Sequence, residues 1–216
     1  EAILAYCEAR DLQVSFSSLR VEDVCESMLR ALARSGQRSI TLAPEAGAPR
    51  LRRLLGKRVE DEQIFEVVER AVALGIEDVK LYFMTGLPTE TGEEALEIAR
   101  FVERLRDRFV NASKPRGHAG TISVNAGVYV PHPRIPLSRV GPPPAPRAVE
   151  DRLRQLARAL RKIPHVNAAI ASLDEAQAQA VLCGGDRRTL EFLLAAARAR
   201  GRWRPALQSW RRRATA

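Results

Sequence analysis

The sequence contains few of the features that mark membrane, secreted or metal-binding proteins. No apolar run approaches the ~18 residues that a membrane-spanning helix needs. The three cysteines, Cys7, Cys25 and Cys183, are widely spaced and odd in number, so they predict neither a disulfide framework nor a CxxC metal site. The three histidines are equally scattered and predict no zinc site. We therefore expect a protein of the reducing cytoplasm without a membrane partner.

The motifs of several enzyme classes are also missing. There is no GxGxxG and no GxxxxGK[ST], which argues against a dinucleotide-binding loop and a P-loop. There is no GxSxG nucleophile elbow and no HExxH zinc motif. If the protein is an enzyme, we expect its reactive group to be a cofactor rather than a side chain.

The composition fits a globular protein with a basic surface. Of the 216 residues, 45% are apolar and 28% are charged, and the net charge is +9. The positive charge is concentrated in residues 147–161 and 198–213, and the second run contains Trp203 and Trp210. Two interpretations stay open, an arginine-rich composition bias and contact with RNA. The chain begins at Glu1 rather than at methionine, which is consistent with a piece of a longer protein.

Strand-like and helix-like segments alternate along the chain. Short β-branched and apolar runs predict strands at residues 12–18, 39–43, 79–84 and 121–130, with a candidate fifth at 166–171. Helical spacing of apolar residues predicts helices at 21–33, 49–55, 59–74, 91–107, 148–162, 173–183 and 189–200. Such alternation is typical of an α/β fold with parallel strands. The residues themselves leave open half of a (β/α)₈ barrel, the end of a (β/α)₆ partial barrel, or part of a doubly wound sheet.

Each predicted strand ends in residues that are polar or conformationally special. In chain order these ends contain Ser17, Ser18 and Arg20; Glu45; Gly86, Leu87 and Pro88; and Val128, Tyr129 and Val130 before the proline-rich stretch 131–136. On a parallel sheet the four ends meet at one edge, where α/β folds bind ligands. Simpler roles stay open: Glu45 and residues 89–94 as helix caps, and Arg20 as the partner of Glu22 or Asp23.

Three longer segments that contain strand ends resemble a known protein family. LAPEAGAPRLRRLLGK (42–57), VKLYFMTGLPTET (79–91) and ISVNAGVYVPHPRIP (122–136) resemble, in order and spacing, the later half of the radical S-adenosylmethionine (SAM) enzyme barrel. FSSLRVEDV (16–24) resembles the preceding strand, and CGGDRR (183–188) resembles a segment found beyond the barrel. The likeness is greatest to uncharacterised radical SAM proteins that often carry a cobalamin-binding domain and are related to the methylthiotransferase group.

The resemblance implies a fold, a division into domains and a set of cofactor-binding positions. Residues 1–140 would form the later half of a partial (β/α)₆ TIM-like barrel, 141–147 a proline-rich linker, and 148–216 a mostly helical C-terminal extension with a basic tail. The implied SAM-facing residues are Ser17, Ser18, Arg20, Glu45, Lys80, Gly86, Leu87, Pro88, Val128, Tyr129 and Val130. Lys80, inside an apolar strand, is expected either to face the ligand or to pair with a carboxylate such as Glu45.

One defining element of the family is absent from this sequence. The CxxxCxxC motif that holds a [4Fe-4S] cluster is missing, and Cys7 and Cys25 have the wrong spacing to replace it. We expect the chain to be the C-terminal part of a radical SAM protein, with the upstream half of its own barrel as a partner. A cluster-less paralogue that binds nucleotide or RNA is the alternative. The substrate, RNA or protein, and the use of cobalamin stay open.

The cysteine pattern generates a spectroscopic prediction. The chain, reconstituted with iron and sulfide under reducing anaerobic conditions, is expected to develop no [4Fe-4S] absorbance, because no three cysteines have cluster spacing. The measurement is the visible absorption spectrum together with iron and sulfide analysis after desalting. A stoichiometric cluster spectrum would show that the cysteines are used in a different way.

Overall fold

The computed structural model describes residues 2–132 and 135–214. Its strands are β1 (Ser39–Glu45), β2 (Asp78–Thr85), β3 (Ile122–Val128) and β4 (Val166–Ile170). Its α-helices are α1 (Ala2–Ala9), α2 (Glu26–Arg34), α3 (Pro49–Leu54), α4 (Asp61–Ala73), α5 (Gly92–Ser113), α6 (Pro146–Leu160), α7 (Leu173–Gly184), α8 (Thr189–Arg198) and α9 (Trp203–Ala214). Within the described ranges no helix has both the length and the apolar character to cross a membrane.

The four strands form one parallel sheet in which spatial order follows chain order, β1-β2-β3-β4. A helix lies in every crossover, as parallel neighbours require. Right-handed crossovers that all advance in one direction place their helices on the same face of the sheet. The predicted α/β fold of parallel β/α units followed by C-terminal helices is confirmed.

Side chains of the central strands alternate between a buried and an accessible face. On β2, Val79, Leu81 and Phe83 are buried and pack with residues of α4, α5 and α6 in the main core. The ring of Phe83 meets that of Phe101 on α5 edge-on, with centroids 5.7 Å apart. The alternate residues, among them Lys80, occupy the opposite face, which these helices do not cover. We call it the open face.

The last strand and the helix before it belong to the same α/β body. Leu156 and Leu160 of α6 are fully buried in the main core, and β4 pairs in register with β3 from Ile122↔Val166 to Ala126↔Ile170. The candidate fifth strand was therefore correctly predicted. The domain boundaries stay a prediction, although α6 and β4, which fall in the predicted C-terminal extension, pack directly against the sheet and its helices.

The predicted strand at residues 12–18 is wrong. That segment is irregular, and just after it Leu19 forms an isolated parallel bridge with Leu42 of β1. A side chain replaces the strand ladder: the Gln37 amide accepts a hydrogen bond from the Phe16 N–H at 3.2 Å and donates to the carbonyl oxygens of Phe16 and Ser39. Residues 12–18 have the alternating sequence pattern of a strand, but they do not form the regular backbone pairing that defines one.

The C-terminal helices form a small core of their own. Phe192 of α8 is fully buried, and the rings of Trp203 and Trp210 of α9 pack on it at centroid distances of 6.3 and 6.0 Å. The two tryptophans of the basic run are thus packed against a neighbouring helix. Helices α1 and α9 were not predicted, and Pro133 and Arg134 of the predicted strand-four terminus lie outside the described residues.

The turn after β1 is fixed by two close contacts. Gly47 lies against the backbone of α5, where an added Cβ would fall 2.2 Å from the Ile98 nitrogen. Arg52, fully buried on α3, donates from Nη1 to the carbonyl oxygens of Ala46 and Gly47, both at 3.2 Å, and pairs with Asp61 at the start of α4. These contacts hold the carboxyl end of β1 at a set distance from α4 and α5.

Gly47→Ala is expected to lower the free energy of unfolding by about 2–3 kcal/mol, because the methyl group would displace α5 backbone. Urea unfolding measures the change. Gly92→Ala is the matched control, since a Cβ there meets nothing within 4 Å and its φ is ordinary. Equal stability of the two variants would contradict the close approach.

Candidate functional site

A cleft of about 780 Å³ opens at the carboxyl ends of the strands, on the open face of the sheet. This volume lies in the range of pockets that hold cofactors and small ligands. Its floor is formed by β2, β3 and β4, and its walls by the end of β1, the segments after β3 and β4, and α7. The lining residues are Glu45, Leu55, Tyr82, Phe83, Met84, Asn125, Ala126, Gly127, Val128, Tyr129, Val130, Ile135, Leu137, Ala169, Ile170, Ala171, Glu175 and Gln179.

Four of the eleven predicted site residues line this cleft: Glu45, Val128, Tyr129 and Val130. Lys80 is exposed on the same face, two residues nearer the amino end than Tyr82, and borders a shallower depression of about 400 Å³. The structure thus brings together the ends of β1 and β3 and leaves Lys80 on an adjoining surface.

The other six predicted residues lie outside the cleft lining. Gly86, Leu87 and Pro88 are buried behind it, where Leu87 packs with Tyr129 in a small cluster. Ser17, Ser18 and Arg20 are exposed in the irregular segment before α2, and the Arg20 guanidinium lies 3.7 Å from Asp23. This is the ion pair that the sequence had left open as an alternative role for the arginine.

Glu45 has a strained backbone conformation, and its side chain is paired with a lysine. It ends β1 with φ of +69°, after a register shift that begins at Leu42. Its carboxylate accepts a hydrogen bond from Lys57 Nζ at 3.0 Å, and Lys57 also donates to the carbonyl oxygen of Ala43. The partner of Glu45 is therefore Lys57 and not Lys80. A non-glycine residue with positive φ costs free energy, and such residues concentrate at functional sites.

Tyr129 contributes a buried hydroxyl group without a partner. Its side chain packs among Ala46, Leu51, Leu87 and other apolar residues at the rim of the cleft, and the residue is 9% exposed. Among residues 2–132 and 135–214 no group hydrogen-bonds its Oη atom, and burial raises the pKa of the phenol above its usual range. A buried polar group without a partner is uncommon and indicates a place where a ligand or water completes the hydrogen bonding.

Glu90 stabilises the turn after β2 on the side away from the cleft. Its carboxylate accepts hydrogen bonds from the Thr85 hydroxyl at 2.8 Å, the Gly86 N–H at 2.6 Å and Arg152 of α6 at 3.1 Å. Burial raises the pKa of this carboxyl, and these three donors act against that rise. Gly86, with φ of +81°, thus has its backbone fixed between β2 and α6. Of residues 89–94, which the sequence offered as helix caps, Thr91 is the N-cap of α5, and its hydroxyl accepts a hydrogen bond from the Glu94 N–H at 3.1 Å.

Several cleft residues were missed from sequence. Tyr82, Met84, Asn125 and Gly127 occupy alternate positions on β2 and β3, so the period-two rule applied outward from Lys80 would have found them. Glu175 and Gln179 are four residues apart on α7 and reach the cleft because of how that helix docks after β4. No pattern in the sequence predicts where that helix packs.

The described residues do not fit an iron–sulfur cluster. Cys7 and Cys25 are partly accessible, Cys183 is exposed, and none of the three lines the cleft. Within residues 2–132 and 135–214 no group of three or more histidine, cysteine, aspartate or glutamate side chains is arranged to hold a metal ion. The cleft is mainly apolar, and its polar groups include the carboxylates of Glu45 and Glu175, which is a lining typical of sites for small organic ligands.

Sequence comparison relates this chain to a superfamily. The Radical SAM superfamily pattern matches residues 1–102, which include β1, β2 and the helices between them. A protein of Methanocaldococcus jannaschii, described as uncharacterized, is 26% identical over 182 residues. That alignment covers 84% of this chain but 37% of the relative, so the chain spans little more than a third of its length. The match supports a relationship to radical SAM proteins.

A solved structure shows the same fold. Coproporphyrinogen III oxidase (HemN) from Escherichia coli, described as a radical SAM enzyme, superposes with a TM-score of 0.54 at 18% identity. The likeness covers 74% of this chain and 36% of the oxidase chain. The parallel sheet and its helices therefore resemble a fragment of a radical SAM TIM-like barrel.

Glu90→Ala is expected to lower the free energy of unfolding by about 3 kcal/mol, because Arg152 and the Gly86 N–H would lose their partner in a buried place. Urea unfolding measures the change, and Glu93→Ala provides an exposed glutamate one turn away as the control. A loss no larger than that of the control would mean that the buried carboxylate adds nothing to the turn.

Proposed function

We propose that this chain forms the SAM- and substrate-binding portion of a radical SAM enzyme. In this proposal the [4Fe-4S] cluster is held by ligands outside the chain, because the cysteines present do not fit it. The observation that carries the proposal is the cleft at the carboxyl ends of a parallel sheet whose first two strands lie within the residues that match the superfamily pattern.

The residues that line the cleft have distinct proposed roles. Val128 and Val130, partly accessible at the end of β3, would form an apolar wall for the adenine. The Tyr129 hydroxyl would find there the hydrogen-bond partner that the described part of the chain does not supply. Glu45, whose carboxylate is oriented by Lys57, would accept hydrogen bonds from the ribose hydroxyls.

The remaining predicted residues enter the proposal in supporting roles. The segment Gly86, Leu87 and Pro88 would support the residues that contact the adenine, because Leu87 packs on Tyr129 on the side away from the cleft. Lys80 would meet an anionic group of the SAM or of the substrate on the open face. Ser17, Ser18 and Arg20 would border the same cavity once further barrel strands extend the sheet. The substrate, RNA or protein, and any use of cobalamin belong to the parent protein.

SAM held here would supply radical chemistry, a 5′-deoxyadenosyl group that takes hydrogen from a substrate, once the cluster of the parent protein provides the electron for its cleavage. The contribution of this chain is to orient the nucleoside and to exclude water from it. The apolar lining contributed by Met84, Val128 and Leu137 suits that second role, because such side chains provide no competing hydrogen-bond donors.

The alternative function is that of a cluster-less α/β module that binds a nucleotide or RNA without catalysis. The poor fit of the cysteines to a cluster favours it, as does the net charge of +9. The two functions differ in ligand: the alternative predicts that adenosine nucleotides or single-stranded RNA bind more tightly than SAM.

Gly127→Val tests the proposed site directly. Gly127 lines the cleft with an ordinary φ, and an added Cβ would meet nothing closer than the Phe83 carbonyl oxygen at 3.8 Å, so the variant is expected to fold. Its isopropyl group would project into the cleft and weaken SAM binding by about tenfold or more. Isothermal titration with SAM, S-adenosylhomocysteine, ATP and a single-stranded RNA measures the affinities.

Ser123→Val is the matched control for this titration. Ser123 lies on the same strand and face, four residues nearer the amino end, and borders the shallower depression rather than the cleft. Its variant should bind SAM as the unchanged chain does. Absence of SAM binding by the unchanged chain, or equal binding by both variants, would refute the proposed site, and tighter binding of ATP or RNA would favour the alternative.

A further inference from the structure

Helix α8 has two apolar faces, and only one of them is buried. Phe192, Ala195 and Ala196 point into the small C-terminal core. On the other side Leu190, Leu193 and Leu194 are 60%, 48% and 46% exposed. Apolar surface collected on one face in this way marks an interaction site.

The exposed residues form a continuous stripe. Leu190, Leu193, Leu194 and Ala197 follow the i, i+3, i+4, i+7 spacing that places side chains on one side of a helix. We call these four residues the leucine stripe. Its spacing is that of a helix that packs along another helix, and the small Ala197 leaves room for a close approach.

Charged residues beside the stripe indicate which helix would cover it. Glu191 and Arg198 are exposed, seven residues apart, and so lie along the same border of the stripe. Neither forms a salt bridge within residues 2–132 and 135–214. Glu191 interacts electrostatically with Arg188, whose guanidinium is hydrogen-bonded to Asp186 at 2.9 and 3.1 Å. When two copies of this helix pack antiparallel, the acidic residue of one border lies opposite the basic residue of the same border on the other copy. The border is therefore complementary in charge to a second copy of itself.

We propose that the leucine stripe is the contact between two copies of this chain, whose α8 helices pack antiparallel about a two-fold axis. In this arrangement Leu194 of each copy lies against Ala197 of the other, and Glu191 of each copy faces Arg198 of the other. Two equivalent ion pairs flank an apolar seam. A contact built mainly on one short helix is small, so the dimer is weak and depends on protein concentration.

Sedimentation velocity across a wide range of concentrations tests the proposal. The unchanged chain is expected to show a monomer–dimer equilibrium. Leu194→Glu should weaken the dimer by at least about tenfold, because it places charge in the seam. Lys162→Glu makes a charge reversal on an exposed residue far from the stripe in sequence and should leave the equilibrium unchanged.

Charge reversal tests the antiparallel geometry separately. Glu191→Arg and Arg198→Glu should each weaken the dimer, since each creates like-charge pairs across the seam. The variant with both changes restores opposite charges and should regain the dimer constant of the unchanged chain. All of these side chains are exposed, so the variants should keep the helical circular dichroism of the parent chain.

Four outcomes would overturn the proposal. The first is a chain that is monomeric at every concentration. The second is a dimer that Leu194→Glu leaves intact, which would place the contact on another surface. The third is a double charge reversal that fails to restore what each single reversal weakens. Association seen only after single-stranded RNA is added would likewise reject the stripe as a contact between copies and would indicate RNA-mediated assembly.

Discussion

The alternation of side chains along parallel strands, with the crossover helices α4, α5 and α6 packed on one face, is the constraint on which this structure depends. Because the strands follow one another in order, every crossover returns on the same side and buries residues such as Leu81 and Val124. The residues between them must then face the other way. Parallel sheets usually have both faces covered, so an uncovered face calls for a ligand, further strands, or both.

The cleft lies where the open face reaches the carboxyl ends of the strands. The ends of β1 and β2 are each fixed by buried or partly buried charged side chains. Arg52 holds the turn after β1, Lys57 holds Glu45, and Glu90 holds the turn after β2 against α6. Such groups are costly to bury, and each is stabilised by more than one hydrogen bond, so these two turns are fixed by the protein itself. Preorganised walls of this kind lower the free-energy cost of ordering a site when a ligand binds.

Much of the fold could be predicted from the sequence, for identifiable reasons. The four sheet strands are short β-branched runs bounded by polar or glycine-containing turns, and the structure has strands at those places. Residues 12–18 have the same pattern but lie where a side chain, not a neighbouring strand, meets the backbone. Local pattern cannot distinguish these cases, because a strand is defined by its partner.

The site was more difficult to predict than the fold. Residues at strand ends, such as Glu45 and Tyr129, could be placed at one edge from topology alone. Residues on the sheet face, such as Tyr82 and Asn125, required the period-two rule to be carried inward from that edge. Glu175 and Gln179 could not be found, because their position depends on the packing of α7, which no local signal encodes.

The amide that replaces a strand at the border of the sheet has a consequence for the ageing of the protein. Gln37 both donates and accepts, and it thereby occupies backbone groups of Phe16 and Ser39 beside β1. Hydrolysis of that amide to a carboxylate removes both donated hydrogen bonds and sets a negative charge against two carbonyl oxygens. The segment at residues 12–18 would then lose this link to Ser39 at the start of β1, although the hydrogen bond from the Leu19 N–H to the Thr41 carbonyl oxygen would still cover part of that edge strand.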